Sequence, residues 1–175
     1  MRTLIRGGTV VNPTGPQPAD VLIDGETIAG VLIPSVASEL AADEVINAAG
    51  CYVIPGGVDA HTHMEMPFGG TTASDTFETG TAAAAWGGTT TIVDFAIQTP
   101  GEVVPECLER WHAKAAGACA IDYGFHMILG GVDSESLKAM DHLIDHEGIS
   151  SFKLFMAYPG VFYATDGENL LAMQQ

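Results

Sequence analysis

A chain of 175 residues that is 47 % hydrophobic and 16 % charged carries enough apolar material for a substantial core and is neither a disordered tail nor a coiled coil. Six Lys+Arg stand against 22 Asp+Glu, a formal charge of −16, and such a surface repels phosphate, which argues against nucleic acid or an anionic membrane as partner. Cys51, Cys107 and Cys119 are odd in number and without CxxC spacing, so they read as small buried hydrophobes rather than a disulfide framework or a thiolate metal site. With no charged-then-apolar leader and no apolar run of about 18 residues, the expected location is the cytoplasm.

In chain order, Met1–Val11 reads as a strand, with Leu4–Val11 expected as a short strand pair broken at glycine. Val21–Ile28 is expected to form a hairpin around Asp24-Gly25, followed by Gly30–Ile33. These strands, residues 1–52, predict a small β-rich subdomain. From Tyr52 the texture changes, and an apolar run to Asp59 leads into a polar loop. Alternating elements follow: helix at Asp75–Trp86, strand Thr89–Phe95, helix Val103–Ala116, strand Ile121–Leu129, helix Ser134–His146 and strand Ser151–Phe155. Ser74-Asp75 and Asp133-Ser134 are candidate N-caps. Strands alternating with helices of about 12 residues imply parallel βαβ units. Residues 53–175 thus supply four strand–helix units, the last running into a helix-like end at Asn169–Gln175. A full eight-fold barrel needs about 250 residues. The predicted fold is α/β, the N-terminal half of a (β/α)8 TIM barrel preceded by the β-rich piece.

Two features carry chemistry. In a strand, Asp59, His61 and His63 of Asp59-Ala60-His61-Thr62-His63 point to one face. Two imidazoles so placed can ligate one divalent ion, while a nearby carboxylate orients a ring from outside the coordination sphere. HxH alone is a weak signal, since satisfied or solvent-facing histidines are commoner. Its place at the end of an apolar strand, where parallel barrels do their chemistry, strengthens it. Lys153 is the second feature, an ammonium in the apolar run Ser151–Met156. Burial favours a neutral amine, which can take up CO2 as an anionic carbamate able to bridge two cations. The alternative is a lysine that snorkels to the surface from an edge strand. His112, His142 and His146 fall on helix faces and read as solvated; His126 sits in a strand facing the interior, not as a ligand.

Pro55–His63 and Phe152–Tyr158 resemble the two signature segments of the dihydropyrimidinase and hydantoinase family of cyclic amidohydrolases. Met66–Gly70, Ser74–Phe77 and Gly87–Thr90 are similar too, so the resemblance runs over essentially the whole chain. It implies two zinc ions, with His61 and His63 on the more buried one and carbamylated Lys153 bridging both. It further implies that Tyr158 hydrogen-bonds the substrate carbonyl and the tetrahedral oxyanion, and that Met66, Phe68, Phe155 and Phe162 form a lid for the ring substituent. Each of those four also reads singly as ordinary core. The implied reaction is attack by a metal-bridging hydroxide on a dihydropyrimidine or hydantoin, giving an N-carbamoyl amino acid. The remaining ligands, two histidines and a proton-shuttling aspartate, would lie beyond residue 175, and the whole protein would be a homotetramer. Met64 and Glu65 stand where dihydroorotases carry an arginine for an anionic substrate, which disfavours that activity. An allantoinase-type amidohydrolase and a non-catalytic dihydropyrimidinase-related scaffold are the alternatives; joint retention of His61, His63, Lys153 and Tyr158 speaks against the scaffold. This stretch alone is expected to be inactive.

Overall fold

The computed structural model describes residues 1–37 and 39–175, which divide into two compact units, Met1–Pro55 and Gly56–Gln175. In the first unit, β1 (Arg2–Asn12) runs antiparallel to β2 (Gly15–Asp24), and β2 to β3 (Thr27–Leu32). The short helix α1 (Pro34–Ala37) leads to β4 (Glu44–Asn47) and β5 (Tyr52–Val53), both parallel to β1. The Asp24-Gly25 hairpin forms as expected, closed by the pair Asp24↔Thr27, with Gly25 in the left-handed region that a tight turn requires. Leu4–Val11 is not a strand pair but one continuous strand. Its glycines make a β-bulge between Ile5 and Gly8, and the Gly7 N–H donates to buried Asp20 Oδ1 at 2.7 Å. Val10, Ala19 and Val21 form the core, with Ile5, Ile23 and Val53 packed against them. Because β5 belongs to this sheet, the first unit reaches Pro55 rather than closing at residue 52.

The second unit opens with β6 (Gly57–Thr62) and a small hairpin of β7 (Pro67–Phe68) and β8 (Thr71–Thr72). There follow α2 (Phe77–Trp86), β9 (Thr89–Ile97), α3 (Val104–Ala115), β10 (Asp122–Ile128), α4 (Ser134–Glu147), β11 (Phe152–Lys153) and α5 (Asp166–Gln174). All pairings in the four-stranded sheet β11-β10-β9-β6 are parallel, and each strand lies beside its predecessor. Four such β–α units in sequence are half of a (β/α)8 barrel. Helix α4 starts where the sequence predicts: Asp133 accepts the N–H groups of Glu135 and Ser136, and Gly148 in the left-handed region ends it. The cap of α2 is Thr76, not Ser74 or Asp75; its hydroxyl accepts the Thr79 N–H, and Thr79 answers the Thr76 N–H. β11 is shorter than Ser151–Phe155, because the chain turns away after Lys153 and Phe155 bridges to Tyr163.

One apolar cluster joins strands to helices: Ile92, Ile97, Met127 and Ile128 with Phe77, Leu108, Trp111 and Leu143. Burying each such side chain contributes about 1.5–3 kcal/mol, so the helices hold the strands in the register that presents their inner-face residues together. No helix of the described residues is long and apolar enough to cross a membrane.

Candidate metal centre

Alternation along β6 is interrupted. The ladder with β9 steps from Asp59↔Ile92 to Thr62↔Asp94, three residues on one strand against two on the other, so β6 bulges at Ala60–His61. Asp59 consequently does not sit behind a ring; its Oδ1 accepts the backbone N–H of His61 at 3.1 Å. His61 and His63, the second just past the strand end, turn their Nε2 atoms to face each other at 3.2 Å. Both rings lie on Phe95 of β9, with centroids 4.7 and 5.0 Å away. Lys153 Nζ stands 4.3 Å from the centre of the same ring, and His126 of β10 packs on it at 4.7 Å. Four neighbouring strands therefore bring His61, His63, His126 and Lys153 to one face around a single phenylalanine. Lys153 is half-buried on that face, its ammonium also 4.8 Å from Phe155, although β11 is an edge strand among the described residues.

The residues fit a metal ion in part. Nitrogens bound tetrahedrally at about 2.0–2.1 Å stand roughly 3.3 Å apart, close to the separation seen here. His63 Nδ1 is buried without a hydrogen-bond partner. Burial first, and then the Lys153 charge, hold His63 below the ordinary imidazole pKa, which keeps a lone pair available for a cation. No three His, Cys, Asp or Glu side chains are grouped to hold an ion among the described residues. The donor set is two imidazoles with one amine, and that amine becomes a ligand only when neutral or carbamylated.

Asp94, which sequence reasoning passed over, anchors this centre. It is 1 % exposed; Oδ2 accepts the Thr62 hydroxyl at 2.8 Å and the Met64 N–H at 2.7 Å, and Oδ1 accepts the Phe95 N–H at 2.7 Å. These partners flank His63 on both sides and carry the phenylalanine beneath it. Burial pushes the Asp94 carboxyl above the usual range, with the three donors opposing. The available signal was a lone carboxylate inside the apolar run Ile92–Ile97.

Beside the centre lies a cleft of about 440 Å³ lined by His63, Met66, Phe68, Lys153, Phe155 and Tyr158, together with Thr71, Thr72 and Ala73, which the sequence did not single out. Tyr158 is half exposed, edge-on to Phe68 at 5.5 Å and to Phe155 at 5.6 Å. Phe162 does not line this cleft. It is buried and stacks on Phe155 at 5.3 Å, backing the wall rather than forming the lid. Glu65 (φ 52°) and Tyr158 (φ 62°) are non-glycine residues in the left-handed region, and both flank the cleft. Such backbone costs of order 1–3 kcal/mol and persists where surrounding bonds impose it. At Glu65 the bonds are its N–H to the Asp75 carbonyl (2.9 Å) and its carboxylate to the Phe77 N–H (3.3 Å). The Tyr158 carbonyl accepts from Val161, Phe162 and Tyr163. The helix histidines stand apart: His142 is 3.9 Å from Glu147, and His112 is half-buried, edge-on to Phe125, rather than solvated.

Residues 52–167 match the amidohydrolase family. Over 99 % of its length the chain is 61 % identical to a D-hydantoinase of Streptomyces coelicolor, of which it covers 38 %, and over 95 % it is 50 % identical to that of Geobacillus stearothermophilus, covering 35 %. The crystal structure of dihydropyrimidinase from Brevibacillus agri superposes with a TM-score of 0.91 at 45 % identity, over 99 % of this chain and 38 % of that one. The chain thus spans well under half the length of these relatives. Its half-barrel, its facing histidines and this match over residues 52–167 agree: the chain belongs to the amidohydrolase family, and its likeness within that family is to the D-hydantoinases and dihydropyrimidinases.

Proposed function

We propose that the protein carrying these residues hydrolyses the cyclic amide bond of dihydropyrimidines or hydantoins to N-carbamoyl amino acids, with two zinc ions at the His61–His63–Lys153 centre. The observation that carries this reading is the convergence of the two Nε2 atoms at 3.2 Å with Lys153 on the same face and Tyr158 at the adjoining cleft. When bound, the ions supply Lewis acidity and a water of lowered pKa. His61 and His63 would hold one ion, a reading supported by their Nε2 atoms facing each other at 3.2 Å. The Lys153 amine, once neutral, would bond to CO2 with loss of a proton, and the resulting anionic carbamate would help hold the ions. In the reaction water adds across the ring amide: the carbonyl carbon gains hydroxyl, its bond to nitrogen breaks, and the nitrogen leaves with a proton. The Tyr158 hydroxyl donates to the carbonyl oxygen as negative charge develops there. Met66, Phe68 and Phe155 exclude water and receive the ring substituent. Among the described residues Lys153 is the sole Lys or Arg lining the cleft, and the rest of the lining is uncharged apart from the imidazole, so it suits a neutral ring better than an anionic one.

The test is zinc content and ring opening of hydantoin and dihydrouracil by the full-length protein, beside Lys153→Ala. Both metal and turnover are expected to vanish in the variant. Full zinc occupancy without Lys153 would refute the carbamate, and a zinc-loaded parent that opens neither ring would refute the activity.

A further inference from the structure

The bulge in β6 leaves Ala60 and His61 opposite the single residue Val93, so one backbone unit next to a metal-binding histidine is out of step with the ladder. The Ala60 carbonyl nevertheless has a partner. His126 Nε2 lies 2.9 Å from it, reaching over Phe95 from β10, two strands away. A carbonyl only accepts, so Nε2 carries the proton and Nδ1 offers a lone pair. That lone pair faces the Ser151 hydroxyl, which donates to it. Ser151 immediately precedes β11 and stands two residues before Lys153. One imidazole, in one tautomer, thereby links the backbone beside His61 on β6 to the segment beside Lys153 on β11, which β9 and β10 separate.

We propose that His126 is a positioning residue for the metal centre: it holds the Ala60–His61 bulge so that the His61 and His63 nitrogens converge, and Ser151 fixes the tautomer that lets it do so. His126 itself is no ligand, since both ring nitrogens are engaged. This role rests on the metal reading above. It uses an interaction whose removal takes the imidazole donor from the Ala60 carbonyl at the bulge and frees the His61 backbone to slide toward regular pairing with β9.

The experiment is zinc titration of the metal-stripped full-length protein against a chelator of known affinity. His126→Ala is expected to weaken zinc binding by about 10–100-fold, the usual consequence of losing a group that orients a ligand. His126→Gln, whose side-chain amide can still donate to the Ala60 carbonyl, is expected to recover most of that loss, and Ser151→Ala to fall between. A structure of metal-free His126→Ala should show the two Nε2 atoms further apart than 3.2 Å. Zinc held equally by the parent and His126→Ala, or a glutamine variant no better than alanine, would overturn the positioning role alone. Zinc absent from the parent too would overturn the metal reading and this role with it. Should His126→Ala fail to fold, Ser151→Ala decides: parent-like affinity there refutes the tautomer link.

Discussion

Replacing Asp94 by alanine strips three donors of their acceptor at once, and the cost can be worked from their surroundings. The Met64 and Phe95 N–H groups are backbone donors with no freedom to turn away, whereas the half-exposed Thr62 hydroxyl can rotate toward water. A stranded buried donor costs about 1–3 kcal/mol, so the two backbone groups together set about 2–6 kcal/mol. Against this, removing a carboxylate whose burial pushes its pKa up relieves a desolvation cost, and the net loss should fall near 2–4 kcal/mol, a sizeable part of the 5–15 kcal/mol that a domain typically has. Asp94→Asn keeps one acceptor but turns an amide NH2 toward a donor, and should lose about 1.5–3 kcal/mol, the worth of one bond to a charged group. Because the released segment brackets His63, zinc affinity should fall along with stability. The assay is urea unfolding of the metal-free full-length protein, paired with zinc titration. An alanine variant within about 0.5 kcal/mol of the parent, the range of an inconsequential surface change, and with unaltered zinc affinity would refute the anchor.

Three further outcomes are expected. Tyr158→Phe should leave zinc content unchanged and lower kcat by roughly 100-fold, the scale for one oxyanion donor; an unchanged rate removes Tyr158 from the reaction. Gly130→Ala should destabilise by about 1–3 kcal/mol, since the added Cβ would fall 2.3 Å from the Gln98 carbonyl and 3.1 Å from the Pro100 nitrogen, neither of which can swing aside; a parent-like urea midpoint would refute that. Glu102 is held at about 2, below its ordinary 4.5, first by the Thr99 N–H and hydroxyl and then by Arg110 and Cys107. Its contribution is therefore full above pH 4.5 and lost as pH falls toward 2, a small amount because the group is exposed; melting midpoints of the parent and Glu102→Gln should converge across that window, and a constant difference would refute the linkage.

What could be read from the sequence was what local chemistry encodes. The Asp24-Gly25 turn, the Asp133 cap of α4 and the alternation of strands with helices arise from residues a few positions apart, and with the apolar patterning they are sufficient to specify a parallel half-barrel. His61 and His63 were legible for the same reason, as was Lys153, the one cation inside an apolar strand-like run. Helix α2 shows the limit even locally: Ser74, Asp75 and Thr76 are all competent caps, and the fold uses Thr76, whose N–H the Thr79 hydroxyl accepts.

The working geometry came from pairs distant in the chain. Strict alternation placed Asp59, His61 and His63 on one face, but the pairing of β6 with β9 introduced a bulge that turned Asp59 to the backbone and the two imidazoles toward each other. Asp94 meets Thr62 across 32 positions and His126 meets Ala60 across 66, distances at which no pattern in the sequence records a partner. Phe162 and Phe155 are alike in composition and near in sequence, yet one backs the cleft wall and the other faces it, because the turn at Tyr158 folds the intervening segment back on itself. Residue types and their short spacings determined which chemistry this chain can offer. Strand register and the packing around Phe95, which depend on contacts between segments far apart in sequence, decided where each group points.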